Sequence, residues 1–164
     1  MPERKGAVRE ESVWDYPRPP RVVADGRHVV IRRGHLRLAD SHDCQRVLET
    51  SHPPVFYVPR RDVRTELLSV SGRRSVCEWK GTATYWSLTG TAGGPALHDV
   101  AWSYEAPLPG YEAIAGHLAF YPDRAGACTV DGERVRPQPG GFYGGWITDE
   151  ITGPFKGGPG SWGW

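Results

Sequence analysis

Proline recurs at such short intervals that few windows of this chain can wind into a long helix. Pro17, Pro19 and Pro20, then Pro53 and Pro54, Pro59, Pro107 and Pro109, and Pro122 each lack a backbone donor and hold the preceding residue extended. The windows between them are rich in Val, Thr, Tyr and Trp, residue types that suit a pleated, half-buried surface. With 21 Gly to turn the chain and 15 Pro to stop it, the sequence reads as a succession of short strands with one or two short helical turns. The expected class is all-β, a sandwich or a folded-over sheet.

Residues 1–11 are charged and read as a flexible tail, and residues 12–20 as an extended arm anchored by Trp14 and Tyr16. Residues 22–39 suggest a hairpin turning at Gly34. Ser41, His42 and Asp43 offer caps for a helical turn over residues 44–49, and residues 55–58 form an alternating strand closed by Pro59. Residues 60–68 can make helical turns capped by Asp62. Arg73 and Arg74 lead into a central strand, and residues 89–95 form a turn. Strands follow over 100–104 and 117–121, with one helical turn over 111–115 between them. Asp131-Gly132, between alternating residues, is the strongest hairpin signal. Residues 137–164 are Gly-rich and carry Phe142, Tyr143, Trp146, Phe155, Trp162 and Trp164. The organisation expected is a tail (1–11), one domain (12–136) and an aromatic extension (137–164) packing on that domain.

Charge excludes some classes of partner. Lys+Arg 20 against Asp+Glu 19 leaves a net charge of +1, so no global field draws the protein to nucleic acid or to anionic lipid. No apolar run has the length of a membrane span. Cys44, Cys77 and Cys128 are odd in number, lie far apart and form no CxxC pair. Together with the lack of a secretory leader, they point to a reducing cytoplasm and argue against both a disulfide framework and a structural zinc site. A bacterial cytoplasmic protein, monomeric or weakly homo-oligomeric and without a cofactor, is the expectation.

The chemistry concentrates around Cys77-Glu78-Trp79-Lys80-Gly81, which opens the strand Thr82-Ala83-Thr84-Tyr85-Trp86-Ser87-Leu88. Lys80 can hold an anionic or carbonyl group, or cover aromatic faces as an ordinary turn lysine. Cys77 is either a thiolate activated by that cation or an inert small hydrophobe. Glu49 and His52 lie three residues apart before a rigid Pro53-Pro54, which sets a carboxylate beside an imidazole in an acid/base arrangement; the alternative is a histidine that caps the turn. Tyr57, Tyr85, Trp86, Trp102 and Tyr104 are candidates to line a pocket for a flat or apolar ligand. The pairs Arg60-Arg61 and Arg73-Arg74 suggest a small anion patch, with Arg60 as its ligand-binding member. His117 reads as a core histidine. Lys156-Gly157-Gly158-Pro159-Gly160 lacks the spacing of a phosphate loop.

The segments ESVWDYPRPPR, VLETSHPPVFYVPRRDV, CEWKGTATYWSL, AWSYEAPL and IAGHLAFYPDR, in this order, resemble the bacterial and fungal family known as domain of unknown function 427. The resemblance covers roughly residues 10 to 136. It implies a compact β-tent-like fold without the zinc-binding cysteine pairs of the zinc-ribbon relatives. The nucleotidyltransferase label attached to the family finds no support in the residues, because such enzymes hold magnesium on spaced carboxylates and no Asp-x-Asp is present. The sequence therefore predicts a small-molecule-binding protein, a cofactor-independent enzyme using acid/base chemistry in an aromatic-lined pocket. The alternatives are a non-catalytic ligand- or peptide-binding module and a subunit that docks a partner through its aromatic tail.

Overall fold

The computed structural model describes residues 10–89 and 96–164. Strands follow one another as β1 (Glu11–Ser12), β2 (Arg21–Asp25), β3 (Val29–Arg33), β4 (Leu36–Ser41) and β5 (Cys44–Leu48). They continue as β6 (Val55–Tyr57), β7 (Leu68–Cys77), β8 (Gly81–Leu88), β9 (Leu97–Ser103) and β10 (Leu118–Phe120). The last are β11 (Ala127–Val130), β12 (Glu133–Arg134), β13 (Arg136–Pro137), β14 (Trp146–Ile147) and β15 (Ile151–Thr152). Among the described residues the helical segments are 3-10 turns of three residues each, Val13–Asp15, Arg60–Asp62, Thr65–Leu67 and Glu112–Ile114. The protein is all-β, and among the described residues no helix is long and apolar enough to cross a membrane.

Two four-stranded sheets, β10-β9-β8-β7 and β12-β11-β3-β4, and a three-stranded sheet, β2-β5-β6, surround the core. Backbone bonds in both directions between Val58 and Leu118, at 2.8 and 2.9 Å, join β6 to β10. Strand alternation then sends successive side chains to opposite faces. Phe56, Val58, Ala101, Leu118 and Phe120 point into the main core with Val29, Ile31, Leu38 and Leu88. Tyr57, Trp102, Ala119 and Tyr121 point the other way, into a second cluster with Tyr85 and Tyr104. One sheet surface is aliphatic and its reverse is tyrosine-rich.

Several local expectations change. Residues 44–49 are not a helical turn: β5 is the middle strand of its sheet, paired with β2 and β6. The caps serve a tight turn, where Ser41 Oγ accepts from Asp43 N (3.0 Å) and donates to Asp62 (2.7 Å). Sheet pairing on both edges, with Cys44, Val47 and Leu48 buried, outweighs a local helical signal of one turn. Asp62 therefore binds the turn before β5 rather than capping a helix. The hairpin expected over 22–39 begins later, at β3 and β4 around Gly34 (φ 60°), because β2 pairs with β5 instead. Arg73 and Arg74 precede the central strand β8 as expected, and they do so from within β7, beside a register irregularity. Asp131 and Gly132, at φ 48° and 83°, make the β11–β12 hairpin as read from the sequence.

Residues 1–9 and 90–95, which hold most of the expected tail and turn, lie outside the described residues. Glu11 is already paired with Ile151 in a parallel β1–β15 ladder. The 137–164 segment enters the main core: Trp146 is 1% exposed, stacks on Phe56 at 4.9 Å and donates its indole N–H to Phe120 O at 2.9 Å. A partly buried charge network ties Glu11 and Glu150 to β2 and β5. Arg27 bonds Asp25 and Glu150, and Arg46 bonds Glu11 and lies 3.2 Å from Asp25.

Candidate functional site

On the tyrosine-rich face of the sheet a cavity of about 240 Å³ opens between β5, β6, β7, β8, β9 and the 137–164 segment. Its walls include Tyr57, Tyr85, Trp102, Tyr104, Tyr121 and Tyr143, and its polar groups are Glu49, His52, Ser75, Cys77, Glu78, Lys80 and Lys156. Burial pushes Tyr57 and Tyr104 well above the ordinary tyrosine value. Tyr57 hydroxyl accepts from the Trp102 indole at 3.3 Å, and Tyr85 hydroxyl shares a bond with Ser75 at 2.9 Å.

Glu49 and His52 are brought together by a tight turn in which His52 N donates to Glu49 O at 3.0 Å. Ser51 occupies the left-handed region at φ 72°, an uncommon conformation for a residue with a side chain. Its backbone is held on both sides: Ser51 N donates to Val13 O at 3.0 Å, and Lys156 N donates to Ser51 O at 2.8 Å. The same contacts bring Lys156 to the cavity. The imidazole is 7% exposed, with Nε2 3.7 Å from Glu49 and the ring edge packed on Tyr143 at 4.7 Å between centroids. Its Nδ1 lies 3.1 Å from Gln138 Nε2. Burial, reinforced by Lys156, Arg18 and Lys80, pushes the imidazole down to about 4, so it is neutral at physiological pH.

No carboxylate lies within salt-bridge distance of Lys80 or Lys156 among the described residues, whereas every arginine in the ion pairs has one. Lys80 is 9% exposed and its ammonium rests 5.6 Å from the Tyr104 ring centroid; Lys156 is 5.5 Å from that of Tyr143. A ring face attracts an ammonium but supplies no counter-charge. The cavity is thus aromatic, with two lysines and two carboxylates, Glu49 and Glu78, on its walls.

The structure brings together Glu49, His52, Tyr57, Cys77, Lys80, Tyr85, Trp102 and Tyr104 of the residues expected from the sequence. It separates two others. Trp86 follows Tyr85 on the strand and so faces the opposite side, where its indole donates to Ser103 Oγ at 2.9 Å. Arg60 lies over Trp86 at 5.2 Å and pairs with Glu105 at 2.7 Å, outside the cavity. The arginine patch also dissolves: Arg61 pairs with Asp43, Arg73 stacks on Tyr85 at 4.5 Å, and Arg74 donates to the Ser71 and Arg73 carbonyls. His117 is half-buried, with Nδ1 3.1 Å from Ala115 O, and is not a core residue. Cys44 is buried and pushed up to about 12 by desolvation, hence inert. Cys77 is half-buried at the cavity wall. Among the described residues no cluster of three or more His, Cys, Asp or Glu side chains is arranged to hold a metal ion.

Tyr121, Gln138, Tyr143 and Lys156 are site residues that sequence reasoning missed. Tyr121 had a signal, because it alternates with Phe120 and Ala119 on its strand. The other three sit in Gly-rich chain without periodicity, and only long-range contacts place them.

The fold and cavity define an all-β protein with an aromatic-walled pocket on the tyrosine-rich face of its sheet. The chain matches the family described as Domain of unknown function (DUF427) over residues 21–131, well over half its length, and belongs to that family. No curated protein matches it. Glu49, His52, Cys77, Lys80 and Tyr121 fall inside the family region, whereas Gln138, Tyr143 and Lys156 lie beyond it.

Proposed function

We propose that the protein binds a small organic anion with a flat body and acts on it as a cofactor-independent acid/base enzyme. The observation that carries this reading is Lys80: a lysine only 9% exposed, without a carboxylate partner among the described residues, lining a cavity walled by Tyr57, Tyr85, Trp102 and Tyr104. The ligand's anionic group would supply the missing counter-charge to Lys80 and Lys156, and its body would stack among the rings. His52 and Glu49 would share the proton transfer, since both line the same wall. A half-buried free thiol at Cys77 suits a reducing compartment, so we place the protein in the cytoplasm, as a monomer or weak homo-oligomer. The near-neutral net charge supports a small ligand over nucleic acid.

The test uses phenylpyruvate, whose carboxylate, carbonyl and ring match the three kinds of wall. Proton NMR in D2O follows exchange of its C3 hydrogens with and without protein. Exchange faster than the uncatalysed rate, lost in Lys80→Met and His52→Gln at unchanged Tm, supports the enzyme. Tight binding of this and related aromatic carboxylates without exchange supports the non-catalytic binding module instead.

A further inference from the structure

The orientation of Gln138 is set by groups that cannot exchange roles. Gly145 N–H, an obligate donor, bonds Oε1 at 3.1 Å, and Lys156 C=O, an obligate acceptor, takes one Nε2 hydrogen at 2.9 Å. The inverted amide would face donor to donor and acceptor to acceptor at once. The second Nε2 hydrogen therefore points at His52 Nδ1, 3.1 Å away. A nitrogen that accepts cannot carry a proton, so the neutral ring holds its proton on Nε2. That N–H has no hydrogen-bond partner among the described residues, since Glu49 at 3.7 Å is beyond bonding distance.

We infer that Gln138 is a positioning residue that holds His52 as the neutral Nε2–H tautomer, so that the imidazole meets the ligand as a hydrogen-bond donor and not as a base. This rests on the proposed acid/base reading and divides its roles. The ligand class it selects is a small aromatic carboxylate with a neighbouring carbonyl: the carboxylate lies against Lys80 and Lys156, and the carbonyl oxygen accepts from His52. In the proton transfer the C–H bond next to that carbonyl breaks and its proton joins the Glu49 carboxylate. The C–H electron pair forms a carbon–carbon double bond and the carbonyl π pair moves onto the oxygen, where the Nε2–H bond stabilises the enolate. No oxidant or reductant is needed. The charged groups around the ring act in the same direction, with Arg18, Lys80 and Lys156 opposing a second proton while Glu49 alone favours it.

The test is long-range 1H–15N correlation on 15N-labelled full-length protein, which distinguishes protonated from unprotonated ring nitrogens. In the wild type we expect the His52 proton on Nε2 alone from pH 8 to pH 5. Gln138→Glu keeps the acceptor for Gly145 but turns a carboxylate toward Nδ1, so it should raise the His52 titration midpoint by at least about one pH unit. A proton on Nδ1 in the wild type, or a tautomer mixture, overturns the inference. So does a folded Gln138→Glu protein with an unmoved midpoint. If Gln138→Glu does not fold, the wild-type spectrum decides. The tautomer is read without ligand, so an Nε2–H ring in a protein that binds no carboxylate would defeat the functional reading and leave the role of Gln138 standing.

Discussion

Acid should weaken the fold through His52 by an amount that a single variant can isolate. The folded-state value is about 4 against an ordinary 6.5, because burial comes first and Lys156, Arg18 and Lys80 add to it. Below 6.5 the unfolded chain takes up a proton that the folded chain refuses. Stability from this group is therefore complete above about pH 6.5 and falls continuously as pH drops toward 4. At 1.36 kcal/mol per pH unit of difference, the loss is about 2 kcal/mol between pH 7 and pH 5, and about 3 kcal/mol by the time both states are protonated. Urea unfolding at pH 7, 6 and 5 measures it. His52→Gln keeps a neutral polar side chain of similar reach and removes the titration, so its stability should fall less over the same range, by about 2 kcal/mol. Other acid-sensitive groups are common to both proteins and cancel in the difference. Parallel pH profiles for wild type and His52→Gln would refute the claim that the ring is held neutral.

Three further outcomes follow from the packing. Gly144, at φ 73°, would place an added Cβ 2.5 Å from Trp102 Cη2 and 3.0 Å from Tyr121 Cδ1; Gly144→Ala should cost roughly 2 kcal/mol in urea unfolding and narrow the cavity, weakening phenylpyruvate binding in calorimetry at least tenfold. Trp146→Ala should cost about 4 kcal/mol, since the ring is 1% exposed and stacks on Phe56, and deletion of residues 137–164 should leave the chain unfolded by circular dichroism. Burial works to raise the Asp25 and Glu150 carboxyls, but Arg27 and the other hydrogen bonds override it and hold both below the ordinary range. Arg27→Met should then cost roughly 3 kcal/mol at pH 7 and lose that penalty in acid, as the stranded carboxylates are protonated; an equal cost at pH 7 and pH 4 would contradict the pairing.

The fold class was legible because proline and glycine act locally: Asp131-Gly132 turns the chain wherever it lies, and Gly81 opens β8 where the pattern says it should. Glu49 and His52 were legible as a pair for the same reason, their contact being made within one turn. Residues 44–49 were misread because caps and a short apolar pattern are also compatible with a strand that finds partners on both sides, and those partners are distant in the chain. Trp86 was misplaced although the period of two on β8 already sets it opposite Tyr85. Gln138, Tyr143 and Lys156 left no pattern. Their positions depend on Lys156 pairing with Ser51 and on Gln138 bridging Gly145 and Lys156, contacts that no local spacing encodes.

The central claim is that the Lys80 cavity holds a small organic anion, and native mass spectrometry of the protein purified gently from its own host tests it most directly. A discrete excess over the denatured mass is predicted, matching an aromatic carboxylate in the released fraction and absent from Lys80→Met. A bare wild-type protein that also shows no heat on titration with millimolar phenylpyruvate would contradict the account.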